Sequence, residues 1–150
     1  MGDHTAVERS GNWLFDFTKL EKISKSLDPN NPVIPVVVQD NTTKEVLICA
    51  YANEQALMYS LENKIATFWS TSRNELWIKG KSSGDVLKLI EVRVNCDQNS
   101  LLYLVEPVQA GACHVKDYQG HTFSSCYYRK IEFDENTKKL TLSPLSGIKL

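Results

Sequence analysis

The run VRVNCDQNSLLYLVE, residues 92–106, sets two β-branched and aromatic stretches around a polar centre. It is read as a long strand over Val86–Asp97 followed by another over Leu101–Val105. Strand side chains alternate between two faces, so Cys96 is expected to share a face with Val92 and Val94. Asn95, Asp97 and Asn99 then point the other way. One short segment thereby offers a sulfur ligand on one face and three oxygen groups on the other. Thiolates select zinc, whereas oxygen groups suit magnesium or calcium. Against this stands the plain reading of Cys96 as a small buried residue in a strand.

The flanking chain continues the β pattern. Val33–Gln39 is rich in β-branched residues, and Pro35 inside it marks an edge position or a strand entry. Asp40-Asn41-Thr42-Thr43 has turn chemistry, and Val46–Tyr51 returns as the second arm of a hairpin. Cys49 lies in the apolar run VLICAYA and is expected in the core. Asn53 caps a helix that runs to about Asn63 and buries Leu57, Leu61 and Met58. Ala66–Ser70 is a strand. In the Val86–Asp97 strand the apolar phase slips at Leu89-Ile90, which signals a bulge or burial on both faces. Tyr127–Phe133 and Lys139–Leu142 pair around DENTK as a last hairpin.

Upstream, residues 1–12 are polar and expected to fray. Trp13–Phe17 is an apolar cluster, a helical turn or two follows near Leu20, Ile23 and Leu27, and DPNNP (28–32) breaks it. The sum is a single α+β domain over 1–150, a mostly antiparallel β-sheet with one main helix and a core spanning about residues 32–130.

Composition narrows the function. Lys and Arg nearly balance Asp and Glu, leaving a net charge of -1, so the chain is no general binder of nucleic acid. No apolar run approaches the ~18 residues of a membrane span. The N-terminus lacks the apolar core of a signal peptide, and Ala6 breaks the myristoylation pattern that Gly2 would open. A cytoplasmic location is therefore expected, where thiols stay reduced. Four cysteines in such a compartment point to metal or chemistry more than to disulfides, although none forms a C-x-x-C pair.

Two later cysteines, Cys113 in GACH and Cys126 in SSCYYR, could join Cys96. Structural zinc sites are closed by four protein ligands, and catalytic ones keep three and leave room for water. A zinc-bound water reaches a pKa near 7. His114, beside Cys113, is placed to move protons, or it or His121 closes the site as a fourth ligand. Residues 69–85, WSTSRNELWIKGKSSGD, are dense in phosphate-binding chemistry. Arg73 offers a bidentate fork and Lys79 or Lys81 a point charge, with hydroxyls from Ser70, Ser72, Ser82 and Ser83. Gly80 and Gly84 let backbone amides approach. A solvated charged hairpin with two tryptophans on the core is the plain alternative.

Taken together, VVVQD, EVLICAYANEQAL, FWSTSRNELWIKGKSSG, VRVNCDQNSLLYLVE, and ACH followed by SCYYR resemble the phosphoribosyl-AMP cyclohydrolase family of histidine biosynthesis. The resemblance covers roughly Pro32–Arg129 and implies a homodimeric α+β fold. It implies a zinc-dependent hydrolase that opens the adenine ring of phosphoribosyl-AMP between ring nitrogen one and carbon six. It implies zinc held by Cys96, Cys113 and Cys126 across the dimer interface, and His114 as the catalytic residue. It places the substrate nucleotide on Ser70, Ser72, Arg73, Lys79, Ser82, Ser83 and Gly84. Magnesium in the family sits on a D-C-D-x-D pattern, here Asn95, Asp97 and Asn99. Zinc nucleobase deaminases perform related chemistry, but their H-x-E and P-C-x-x-C signature is absent.

The chain departs from the family pattern at several points. Two of the three magnesium carboxylates are amides, so magnesium is expected to bind weakly. Thr71 and Ile78 stand where the family carries arginine. The loop between Cys113 and Cys126 is longer than the family's, and no fused pyrophosphohydrolase domain is expected. Two further readings stay open on the residues: a sister zinc hydrolase for another modified purine nucleotide, and a non-catalytic dimer stapled by a closed four-ligand zinc.

Overall fold

A computed structural model describes residues 5–150. Three helices, α1 (Thr5–Arg9), α2 (Lys19–Ser26) and α3 (Glu54–Asn63), accompany eight strands. These are β1 (Ile34–Asp40), β2 (Val46–Ala52), β3 (Thr67–Ser70), β4 (Glu75–Ile78), β5 (Leu87–Val94), β6 (Leu101–Pro107), β7 (Arg129–Phe133) and β8 (Leu140–Pro144). A four-stranded sheet runs β2-β1-β6-β5, and β3-β4 and β7-β8 form separate hairpins. Every pairing is antiparallel except β1 with β6. The fold is thus α+β and mostly antiparallel, as the strand spacing implies.

Alternation builds the core. Val36 and Val38 of β1, Leu87 of β5, and Tyr103 and Val105 of β6 are all fully buried, joined by Phe68 of β3. Phe68 stacks on Tyr103 with ring centroids 5.7 Å apart. Pro35 pairs only with Tyr51 of β2, because the β6 ladder begins at Val36. Strand entry, not an edge position, is how β1 tolerates a residue without an N–H. The β5–β6 register slips between Leu89 and Glu91, so the phase change at Leu89-Ile90 is a bulge at Ile90.

Helix α3 starts where Asn53 accepts the Ala56 amide at 2.9 Å. Its inner face differs from expectation. Ala56 and Ser60 are buried, whereas Met58 and Leu61 are exposed. The Ser60 hydroxyl donates to the Ala56 carbonyl at 2.8 Å and accepts the Thr67 amide at 2.9 Å. Small side chains let helix and hairpin approach closely, and the hydroxyl replaces packing with hydrogen bonds, each worth about 1 kcal/mol.

Two other expectations change. Strand β5 ends at Val94, and residues 95–100 form the turn into β6, so no strand alternation separates Cys96 from its neighbours. The Asn95 side-chain oxygen accepts the amides of Asn99 and Ser100, both at 2.9 Å, and its amide group donates to Asn99 Oδ1 at 2.6 Å. Asparagine competes with the ladder for its own backbone and wins here. The described part of the N-terminus, for its part, is not frayed. The Leu142 amide donates to the Gly11 carbonyl at 2.7 Å, and Asn12 bridges to Thr141. Part of that expectation, over residues 1–4, lies outside the described residues. No helix among the described residues is long and apolar enough to cross a membrane.

Candidate active site

A second, smaller core of Cys113, Val115, Phe123 and Tyr128 forms where the loop after β6 folds back. Phe123 donates its amide to Val115 O at 3.0 Å, and its carbonyl accepts the amides of Ala112 and Cys113. These bonds fix Cys113. Cys126 is fixed in turn against β2, its amide donating to the Leu47 carbonyl at 2.8 Å. The two cysteines, 13 positions apart in sequence, therefore meet across one cleft.

That cleft has a volume of about 730 Å³. One wall is the 73–85 segment, the floor is β2 around Cys49, and the other wall carries Cys113, His114 and Cys126. The Cys126 thiol beside Cys113 lowers the Cys113 pKa to about 6, against the opposing effect of burial. Sharing the proton with Cys113, together with burial, pushes Cys126 up. At neutral pH the pair is one thiol and one thiolate, a donor set suited to zinc.

Of the residues the sequence nominates for the substrate, Arg73, Lys79, Ser82 and Ser83 line this cleft. Arg73 is exposed, with Glu75 at 3.7 Å. Ser70 and Ser72 lie outside it and contact each other at 3.3 Å. Gly84 also lies outside, at a positive φ of 85° that permits the turn behind the wall. Lys79 is set deep rather than free. It is 7% exposed, and Nζ donates to the Asp85 carbonyl oxygen at 3.2 Å. Burial lowers its pKa, opposed by the negative charge of Asp85, Cys126 and Cys113. Asp85 is itself buried and accepts from Thr122 Oγ1 at 3.1 Å.

The expected oxygen site is reshaped by its turn. Asn95 and Asn99 spend their oxygens inside it, which leaves Asp97 as the single free carboxylate. Cys96, at the exposed tip of the same turn, is not in the cleft. Among the described residues no three His, Cys, Asp or Glu side chains gather closely enough to hold a metal ion within one chain. His121 faces Asp117, with Nδ1 3.8 Å from the carboxylate, away from the cleft.

The cleft also holds residues the sequence did not nominate. Cys49, expected in the core, is exposed on its floor. The apolar run around it belongs to an edge strand, and the cleft opens over that strand at Cys49, which hydrophobicity alone does not reveal. Asp85 and Thr122 join from segments 37 residues apart, with no pattern linking them.

Residues 48–128 match the family model of phosphoribosyl-AMP cyclohydrolase. The chain is 48% identical over 103 residues to the phosphoribosyl-AMP cyclohydrolase of Archaeoglobus fulgidus, covering 69% of this chain and 89% of that protein. It is 48% identical over 107 residues to that of Methanosarcina barkeri, covering 71% and 78%. A histidine biosynthesis bifunctional protein of Aquifex aeolicus is 41% identical over 113 residues, which are 75% of this chain and 52% of that protein. The matched segment contains the cleft-lining 73–85 wall and all of Cys96, Cys113, His114 and Cys126, and on these grounds the chain belongs to the phosphoribosyl-AMP cyclohydrolase family.

Proposed function

We propose that the protein hydrolyses phosphoribosyl-AMP, opening its adenine ring in histidine biosynthesis, in the cleft between the 73–85 wall and the Cys113–Cys126 loop. The observation that carries this reading is the meeting of a cysteine pair, a histidine and a cationic, hydroxyl-rich wall in one cavity. In the overall reaction water adds to carbon six, the bond from carbon six to ring nitrogen one breaks, and that nitrogen takes up a proton. Alkylation at ring nitrogen one makes carbon six a better electrophile, so the chain needs to orient the ring and move protons.

Cys113 and Cys126 supply two ligands for zinc, and the reading takes the third, Cys96, from a second copy of the chain. Support for a shared site is that Cys96 stands exposed on its turn, outside the cleft that holds the other two. When bound, zinc supplies Lewis acidity and a nucleophile at neutral pH. Arg73 and Lys81 offer exposed cationic groups for phosphate, and Ser82 and Ser83 add hydroxyl donors. Lys79 balances the negative charge of the cysteine pair from within the wall. His114, exposed beside Cys113, exchanges the proton with the reacting ring. The Asn95, Asp97 and Asn99 set does not fit a magnesium ion in this arrangement, since two of its three oxygens are already engaged.

Turnover on phosphoribosyl-AMP, followed by the absorbance change on ring opening with zinc retained, tests the reading. His114→Ala is expected to keep zinc and fold while lowering turnover by roughly 10²–10⁴. Loss of zinc in that variant would make His114 a ligand, and absence of turnover in the zinc-replete parent would sink the proposed substrate.

A further inference from the structure

We propose that Glu8, in the N-terminal helix, is a positioning residue for His114. Its carboxylate holds the imidazole in one orientation and in the Nε2–H form, which leaves Nδ1 to exchange the proton. The inference rests on the role given to His114 above. Glu8 lies well before the segment 48–128 that the family model matches.

The geometry is direct. His114 Nε2 lies 2.7 Å from Glu8 Oε1. An ionised carboxylate only accepts hydrogen bonds, so Nε2 must carry the hydrogen and donate it. A neutral imidazole has one N–H, so Nδ1 is then the free base. The His114 side chain is 80% exposed while that of Glu8 is 26% exposed. Without a partner, an imidazole so exposed would sample several rotamers and both tautomers.

Glu8 can fix the ring because its own backbone is held. The Tyr128 hydroxyl donates to the Glu8 carbonyl at 2.6 Å. The Arg129 guanidinium donates to the carbonyls of Val7 at 2.8 Å and Ser10 at 3.0 Å. Arg9 donates to the Lys116 carbonyl at 3.0 Å. Tyr128 and Arg129 directly follow the Cys126 segment, and Lys116 follows His114. The loop that carries the cysteine pair and the histidine thus also holds the helix that carries their carboxylate. On its histidine side the contact is open to solvent, which screens the charges, so it contributes little to stability. A purely structural role would therefore be small, whereas orientation of a proton-transfer group acts on rate.

Zinc-loaded full-length protein carries the test, with turnover on phosphoribosyl-AMP and NMR of the histidine ring nitrogens. Glu8→Ala is expected to lower kcat on the order of tenfold, with KM, zinc content and melting temperature unchanged. Glu8→Gln should recover part of that loss, because its amide oxygen still accepts from Nε2–H. The His114 ring should show the Nε2–H tautomer in the parent and a tautomer mixture in Glu8→Ala. An unchanged kcat or an unchanged tautomer in Glu8→Ala overturns the inference, as does a Glu8→Gln variant no better than Glu8→Ala. If His114→Ala abolishes turnover while Glu8→Ala does not, only this inference falls. If His114→Ala turns over normally, the role of His114 falls with it.

Discussion

Cys113 and Cys126 together hold one proton near neutral pH, and this has a stability signature in the metal-free protein. Cys113 is lowered from 9.0 to about 6 in the fold, and Cys126 is raised. Between pH 6 and 9 the unfolded chain keeps a proton on Cys113 that the folded chain has lost, so stability rises with pH. Above about 9 the unfolded chain releases the Cys126 proton while the folded chain retains it, and stability falls again. Urea midpoints of the metal-free protein should therefore peak near pH 9. Cys126→Ala should flatten the rise, since the donor that lowers Cys113 is removed; a flat parent profile would contradict the shared proton. These residues were legible in the sequence because ACH and SCYYR mark them. Cys49 was not, because an apolar run reads the same on an edge strand as in a core. Neither was Glu8, whose polar surroundings contain no periodic signal and whose contacts are all distant in sequence.

At the scale of elements, the strands other than β4 were readable in order, down to the bulge at Ile90 that the apolar slip announced; β4 lay inside the polar segment read for its phosphate-binding chemistry. The turn at 95–100 was not. Its polar residues alternate with Cys96 in the same period as a strand, and only the Asn95 side-chain bonds to the backbone stop the ladder. Helix α1 escaped for another reason: a five-residue helix has no amphipathic period to read, and tertiary hydrogen bonds hold it. The wall of the cleft depends on one turn residue. Gly80 has a positive φ of 82°, and a Cβ there would run into the backbone of Asp85 and Val86. Gly80→Ala should cost at least about 2 kcal/mol through left-handed strain and that clash. It should also displace Lys79 and Asp85, so turnover falls more than stability alone explains. Thermal melts beside kinetics at a temperature where the variant is folded check both parts; an unaltered melt and rate would show that the turn tolerates a side chain.

The whole molecule raises the question of where the third thiolate comes from. One chain gathers Cys113 and Cys126 but leaves Cys96 on an exposed turn, and three metal-binding side chains do not meet among the described residues of a single chain. The shared-site proposal answers this with a closed two-fold dimer, in which each site takes Cys96 from one copy and the pair from the other. Symmetry then makes a quantitative demand. Cys96→Ala alone and Cys113→Ala alone should each lose zinc at both sites. In a heterodimer of the two variants, one site lacks both Cys96 and Cys113, while the other has every ligand intact. Random reassortment of equal amounts makes about half of the dimers mixed, so about a quarter of all sites should regain zinc and turnover. The experiment co-refolds the two variants from denaturant and measures bound zinc and the rate on phosphoribosyl-AMP. A site complete within one chain predicts no recovery at all, because every chain in the mixture carries a defect. Recovery near a quarter, absent when either variant is refolded alone, is the outcome that only ligands from two chains can produce.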